Sequence, residues 1–178
     1  MASELSFPAF DWARRPRGAT GVERPPARTV GLGRGVVVLR SLPAPAGLDT
    51  IEEVVVGEGG VTVVHEEPGE GHVRVRRGHL IVDGEDRSVL AARPMRELEA
   101  VCRALVDAGL GEVDVKAAVC FTAARGRALG GSPSIGGVRV CDPAGLAALV
   151  RRRGARGPVD TGLVADALEI ELTLSAAA

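Results

Sequence analysis

Apolar and polar positions form short runs through the first half of the chain. Runs at residues 35–42, 51–56 and 61–64 are rich in valine and other β-branched residues, which predicts three strands. The last two runs flank the sequence GEGG, and a glycine-rich connection of this length predicts a hairpin. The stretch 72–76 alternates polar with apolar residues and returns through 80–82, which predicts a second hairpin with one solvated face.

In the second half of the chain, many apolar residues recur at helical spacing. This spacing predicts helices over residues 94–108 and 159–172, and the runs at 113–121 and 137–141 are typical of short, buried strands. A further helix is predicted to start at Asp142, because aspartate caps a helix and the proline that follows it fits the first turn.

The order of these elements defines the expected fold. Strands, a helix, two strands and two helices predict an α+β fold, in which a central mixed β-sheet is flanked by helices. We expect one domain over residues 29–174 and a tail at 175–178. Residues 1–28 are rich in proline, arginine and glycine and lack periodicity, which predicts a mostly disordered or loosely packed segment.

Composition narrows the class of protein. A chain of 178 residues with 46% hydrophobic and 25% charged residues is an ordinary globular protein that can bury a core. The net charge of −1 gives no global field that attracts nucleic acid or anionic lipid. Three scattered cysteines indicate neither a disulfide framework nor a zinc site. Lys116 is the only lysine, a bias typical of GC-rich bacterial genes.

The apolar runs are too short for a membrane span or a secretory signal, and this predicts where the protein is located. None of them approaches the roughly 20 residues that span a bilayer, so we expect no membrane partner. The first 18 residues have no continuous apolar core of the kind that a secretory signal needs. We therefore expect a cytoplasmic protein.

Five strings follow one another in a distinctive order: LDTIEEVVVGEGGV at 48–61, VRVRRGHLIVDGED at 73–86, ELEAV at 97–101, AVCF at 118–121 and GGVRV at 136–140. Together they resemble the nuclease-related domain (NERD) family, a branch of the PD-(D/E)xK nuclease-like superfamily. The first string looks like the family's NIDHLVVGPGGV segment, the second like the hairpin after it, the third like its central helix and the last two like its later strands. The resemblance implies a restriction-endonuclease-like arrangement of the sheet and helices.

The resemblance also identifies candidate site residues. In such nucleases two carboxylates at the ends of adjacent strands share a divalent metal, and a lysine two residues after the second helps to activate water. These positions fall on Glu52, His65 and Glu67. An acidic residue of the family's first helix corresponds to Glu23 if the match is shifted by one residue. Glu52 and His65 are competent metal ligands, so they would hold Mg²⁺ or Mn²⁺ in an active enzyme. Glu67, however, adds negative charge where phosphate must approach.

These residues are compatible with three different functions. The first is a catalytically degenerate nuclease-related protein that needs no cofactor and acts as a binding or accessory protein, with DNA or an unidentified protein as its partner. The second is a weak or atypical metal-dependent nuclease that uses Glu52, His65 and Glu67, with a glutamate as general base. The third is a protein-interaction module without nucleic acid, which the net charge near zero favours.

Other local patterns have simpler interpretations. Histidines recur at residues 65, 72 and 79, but a spacing of seven alternates strand faces, so we interpret them as exposed hairpin histidines. The only literal DxK triplet, at 114–116, opens the strand after the helix rather than the second hairpin strand. The glycine-rich stretch 130–137 lacks a following Lys-Ser/Thr pair, which indicates a loop rather than a phosphate site.

Overall fold

A computed structural model describes residues 29–30, 35–68, 70–123, 133–152 and 158–177. Two of the predicted segments lie outside these residues: the disordered segment at 1–28, which includes the candidate site residue Glu23, and the first part of the glycine-rich loop, residues 130–132. The described strands are β1 (Thr29–Val30), β2 (Val37–Pro43), β3 (Thr50–Gly57), β4 (Gly60–Glu67), β5 (Val73–Arg76), β6 (His79–Val82), β7 (Glu85–Asp86), β8 (Val115–Phe121), β9 (Ser134–Ile135) and β10 (Val138–Cys141).

Seven of these strands form a mixed central sheet in the order β1-β2-β3-β4-β8-β10-β9. The first four are antiparallel neighbours, whereas β8 runs parallel to β4 and β10 runs parallel to β8. The remaining strands, β5-β6-β7, form a small antiparallel sheet. Both predicted hairpins are therefore present.

Three helices flank the central sheet: α1 (Ala92–Asp107), α2 (Pro143–Arg151) and α3 (Thr161–Ala176). A short 3₁₀ helix, Ser88–Ala91, leads into α1. As predicted, Asp142 caps α2, and its side chain accepts a 2.7 Å hydrogen bond from the backbone N–H of Gly145. The fold is therefore α+β, as the order of elements predicted. No helix in the described part of the chain is both long and apolar enough to cross a membrane.

The valine runs are continuous because both faces of the sheet are covered. Successive strand residues point to opposite faces. On β3, Val54 and Val56 therefore pack in the layer that contains Val101 of α1 and Leu168 of α3. Val55 packs on the other face, in the layer that contains residues of α2. The same alternation places Glu52, two residues before Val54, on the α1 face of the sheet.

The structure corrects three details of the sequence analysis. Strand β4 continues to Glu67, three residues beyond the predicted end at 64, so His65 is part of the strand. Ser134–Ile135, predicted as loop, is a short strand that pairs with β10 across a Gly136-Gly137 turn. Helix α3 reaches Ala176, into the predicted tail, because Leu172 is buried and no glycine or proline ends the helix earlier.

Candidate functional site

Glu52 and His65 are brought together by the register of the β3–β4 hairpin. They lie one residue beyond the paired Glu53 and Val64, and both side chains face α1. Nδ1 of His65 is 3.8 Å from Oε2 of Glu52, and the two side chains are 15% and 28% exposed. The interpretation of His65 as an exposed hairpin histidine is therefore wrong, because the strand carries it beneath α1. His72 and His79 are exposed as expected.

Arg93 of α1 completes this cluster and was not anticipated from the sequence. Its Nη1 lies 3.3 Å from Oε1 of Glu52, and its Nε donates a 2.9 Å hydrogen bond to Oε1 of Glu97. Its Nη2 also donates to the backbone carbonyl of Thr50, at 3.3 Å. The hydrogen bond with Glu97 is the main cause that raises the pKa of the Arg93 guanidinium above its usual value. The guanidinium thus links the start of β3 to the helix above it.

Glu97 is the most deeply buried member of the cluster, with 1% of its surface exposed. Burial raises the pKa of its carboxyl, and the contact with Arg93 offsets part of that effect. Within the described residues, Oε2 of Glu97 and Nδ1 of His65 are both buried and have no hydrogen-bond partner. The sequence signal for Glu97 is limited to an arginine four residues earlier, at the spacing of helical ion pairs, and Arg93 precedes the predicted start of the helix at residue 94.

Glu67 does not join this cluster. It is two residues further along β4 and borders a separate cavity of about 160 Å³, together with Asp83, Arg87 and Phe121. Of the four candidate site residues, the structure brings Glu52 and His65 together and sets Glu67 apart. Glu23 lies outside the described residues.

The DxK triplet lies at the other end of the sheet. Lys116 is level with Thr62 on β4, whereas His65 is level with Val119. The Lys116 amine donates a 2.9 Å hydrogen bond to the carbonyl of Gly59 in the hairpin turn, and burial lowers its pKa. This lysine anchors the turn and is remote from Glu52 and His65.

The second carboxylate of the Glu52-Glu53 pair also meets an arginine. Glu53 points to the opposite face of the sheet and is almost fully buried. Its Oε2 accepts a 2.8 Å hydrogen bond from Nε of Arg40, the residue that pairs with it on β2. Both adjacent carboxylates of β3 are thus engaged by guanidinium groups that belong to the fold.

The cluster does not fit a divalent metal ion. Among the described residues, no group of three or more His, Cys, Asp or Glu side chains is placed to hold one. Glu52 and His65 offer two ligands, but Mg²⁺ and Mn²⁺ favour several oxygen ligands. The permanent charge of Arg93, 3.3 Å from Glu52, would also repel a dication bound to that carboxylate.

No protein-family model, curated protein or solved structure matches the chain.

Proposed function

We propose that this chain is a cytoplasmic nuclease-related domain protein whose catalytic centre has been replaced by an ion-pair cluster. In this proposal it hydrolyses no phosphodiester bond and acts as a binding or accessory protein in DNA processing. One observation carries the proposal: the Arg93 guanidinium contacts Glu52, the position at which the resemblance implies a metal-binding carboxylate.

The topology supports the nuclease-related part of this proposal. After the antiparallel β2-β3-β4 meander come the small β5-β6-β7 sheet, helix α1 and then β8, which runs parallel to β4. This arrangement puts the start of β3 and the end of β4 side by side, at the same end of the sheet. The implied mechanism needs its two carboxylates at adjacent strand ends of this kind, and Glu52 and His65 lie there.

The charge balance supports the loss of catalysis. Arginine keeps its proton at any physiological pH, so its charge at Glu52 is permanent. A metal ion that entered would have to displace Arg93 from both Glu52 and the buried Glu97, and Glu97 would then lack its counter-charge. His65 stands where a second acidic ligand is expected, and Glu67, which replaces the lysine, borders a different cavity. Each substitution removes a part that metal-dependent hydrolysis requires.

A cleavage assay tests this proposal directly. Purified protein is incubated with plasmid and with oligonucleotides in Mg²⁺, in Mn²⁺ and in EDTA, beside Glu52→Ala, His65→Ala and the exposed control Glu99→Ala. We expect no metal-dependent cleavage by the wild-type protein. Cleavage that requires metal, survives in Glu99→Ala and is lost in both site variants would overturn the proposal.

The contact between Glu52 and His65 favours one alternative function, an atypical metal-dependent nuclease. Two potential ligands 3.8 Å apart are a partial metal site, and an atypical nuclease could use them if Arg93 moved away. Manganese titration monitored through the histidine resonances distinguishes the two functions. Line broadening at His65 that saturates with Mn²⁺, and that is absent in Glu52→Ala, would favour the atypical nuclease.

The binding partner is tested separately. A net charge of −1 predicts weak affinity for duplex DNA, with the contacts made by local arginines. Fluorescence anisotropy with labelled single-stranded and double-stranded DNA, over a series of salt concentrations, measures this affinity. Binding that weakens steeply with salt supports a role with nucleic acid. No binding at low salt favours the third function, a module that contacts only protein.

A further inference from the structure

Helix α3 exposes an apolar stripe on the side that faces away from the sheet. Leu163, Ile170 and Leu174 are 57%, 58% and 60% exposed, and their spacing places them on one side of the helix. The opposite side is buried in the core through Val164 and Leu168. An exposed apolar stripe opposite the buried side of a helix is typical of a surface that another segment covers.

The acidic residues of α3 indicate what kind of segment would cover the stripe. The helix carries Asp166, Glu169 and Glu171 and contains no lysine or arginine. Oε1 of Glu169 is shielded from solvent and has no hydrogen-bond partner among the residues that the structure describes. A segment that combines large apolar side chains with arginines would cover the stripe and complement the negative charge around it.

We propose that residues 5–17 of the same chain, LSFPAFDWARRPR, dock on this face of α3. The segment contains Phe7, Phe10 and Trp12, and the chain has only three phenylalanines and one tryptophan. Three arginines follow within five residues of Trp12, at positions 14, 15 and 17. The aromatic side chains cover the leucine and isoleucine stripe, and the arginines pair with the acidic residues of α3.

The connection between the two segments is long enough. The described chain begins at Thr29 in β1, which pairs with β2, and α3 packs against β2. Eleven residues lie between Arg17 and Thr29, and an extended chain of that length reaches roughly 40 Å from one to the other. The 16 residues of α3 span only about 24 Å. Docking within one chain also has a high effective concentration, so modest contacts suffice to hold the segment.

Trp12 is the only tryptophan, so its fluorescence tests the proposal in the intact protein. We expect emission shifted to the blue of free tryptophan and protection from quenching by acrylamide. Ile170→Asp places a charge in the stripe and should shift the emission to the red and increase the quenching. Val89→Asp, at another exposed apolar residue that precedes α1, should leave both unchanged. Circular dichroism checks that each variant keeps its helices.

The fluorescence results distinguish docking of the chain's own N-terminal segment from docking of a second copy and from no docking. Wild-type emission equal to that of free tryptophan, or emission that Ile170→Asp leaves unchanged, would overturn the proposal. A blue shift that disappears on dilution would show that the segment of a second copy covers α3, which also overturns docking within one chain. Arg14→Glu combined with Arg15→Glu provides a further test, because repulsion from the acidic residues should expose Trp12 at low salt and less so at high salt.

Discussion

Nε of Arg93 donates a 2.9 Å hydrogen bond to Oε1 of Glu97, one helical turn away in α1. Glu97 is almost completely buried, and an ionised carboxylate in such a place needs a counter-charge. Arg93 supplies it and simultaneously reaches Glu52 at the start of β3. The pair therefore connects the stability of the helix–sheet interface with the electrostatics of the candidate site.

Arg93→Met should destabilise the protein by about 2 to 4 kcal/mol, because it leaves a buried carboxylate without its counter-charge. Urea denaturation measures the free energy of unfolding. Arg96→Met, on the exposed side of the same helix, should stay within about 0.5 kcal/mol of wild type. The double variant Arg93→Met/Glu97→Met should recover much of the loss, since it removes both charges together. Equal effects of Arg93→Met and Arg96→Met would contradict this role.

Glu97 should make stability fall as the pH rises above its ordinary pKa of 4.5. Burial raises the pKa of this carboxyl in the folded protein, so between the unfolded and folded values the folded state binds more protons. The free energy of unfolding then declines through this window by at most about 1.4 kcal/mol per pH unit. Glu97→Gln should remove this slope and Glu99→Gln should keep it. Unfolding curves collected from pH 4 to pH 8 measure the difference, and identical slopes in wild type and Glu97→Gln would contradict it.

The sequence predicted most of the fold because the signals that define its elements are local. Valine runs around a glycine-rich turn fix the β3–β4 hairpin, and Asp142 before a proline fixes the start of α2. The short strand β9 was missed because two residues carry no periodic pattern, and only pairing with β10 makes Ser134–Ile135 a strand.

The candidate site was harder to predict because it depends on tertiary packing. The resemblance pointed to Glu52 and His65, and the hairpin register brings them together. The contact between Arg93 and Glu52 exists only because α1 packs over β4 and β8, which brings Arg93 to the start of the neighbouring strand β3, about 40 residues earlier in the chain. The spacing of Arg93 and Glu97 fits a helical ion pair, but the predicted helix began at residue 94, and no local pattern showed that Glu97 would be buried.

Ser88→Ala should raise the pKa of Asp86. Hydrogen bonds from the hydroxyl and the backbone N–H of Ser88, followed by the contact with His79, lower that pKa from 3.8 to about 2. A lowered carboxyl pKa stabilises the fold above pH 3.8, and this stabilisation is lost as the pH falls towards 2. Carboxyl carbon NMR titration should show the Asp86 pKa moving back towards 3.8 in Ser88→Ala. Thr173→Ala, a hydroxyl removed from α3, should leave the titration unchanged, and an unchanged pKa in Ser88→Ala would contradict the assignment.

Gly60→Ala should be far more destabilising than Gly84→Ala. Both glycines have positive φ, +110° and +90°, so alanine is strained at either position by about 1 to 2 kcal/mol. A Cβ at residue 84 would meet nothing within 4 Å, whereas at residue 60 it would lie 2.2 Å from the carbonyl oxygen of Asp114. That carbonyl accepts a 2.8 Å hydrogen bond from the N–H of Val61, so relieving the clash must separate β4 from the start of β8. We expect an additional loss of about 1 to 3 kcal/mol from this overpacking, measured by urea denaturation. Equal losses in the two variants would show that the close approach of the two strands contributes nothing beyond the backbone strain.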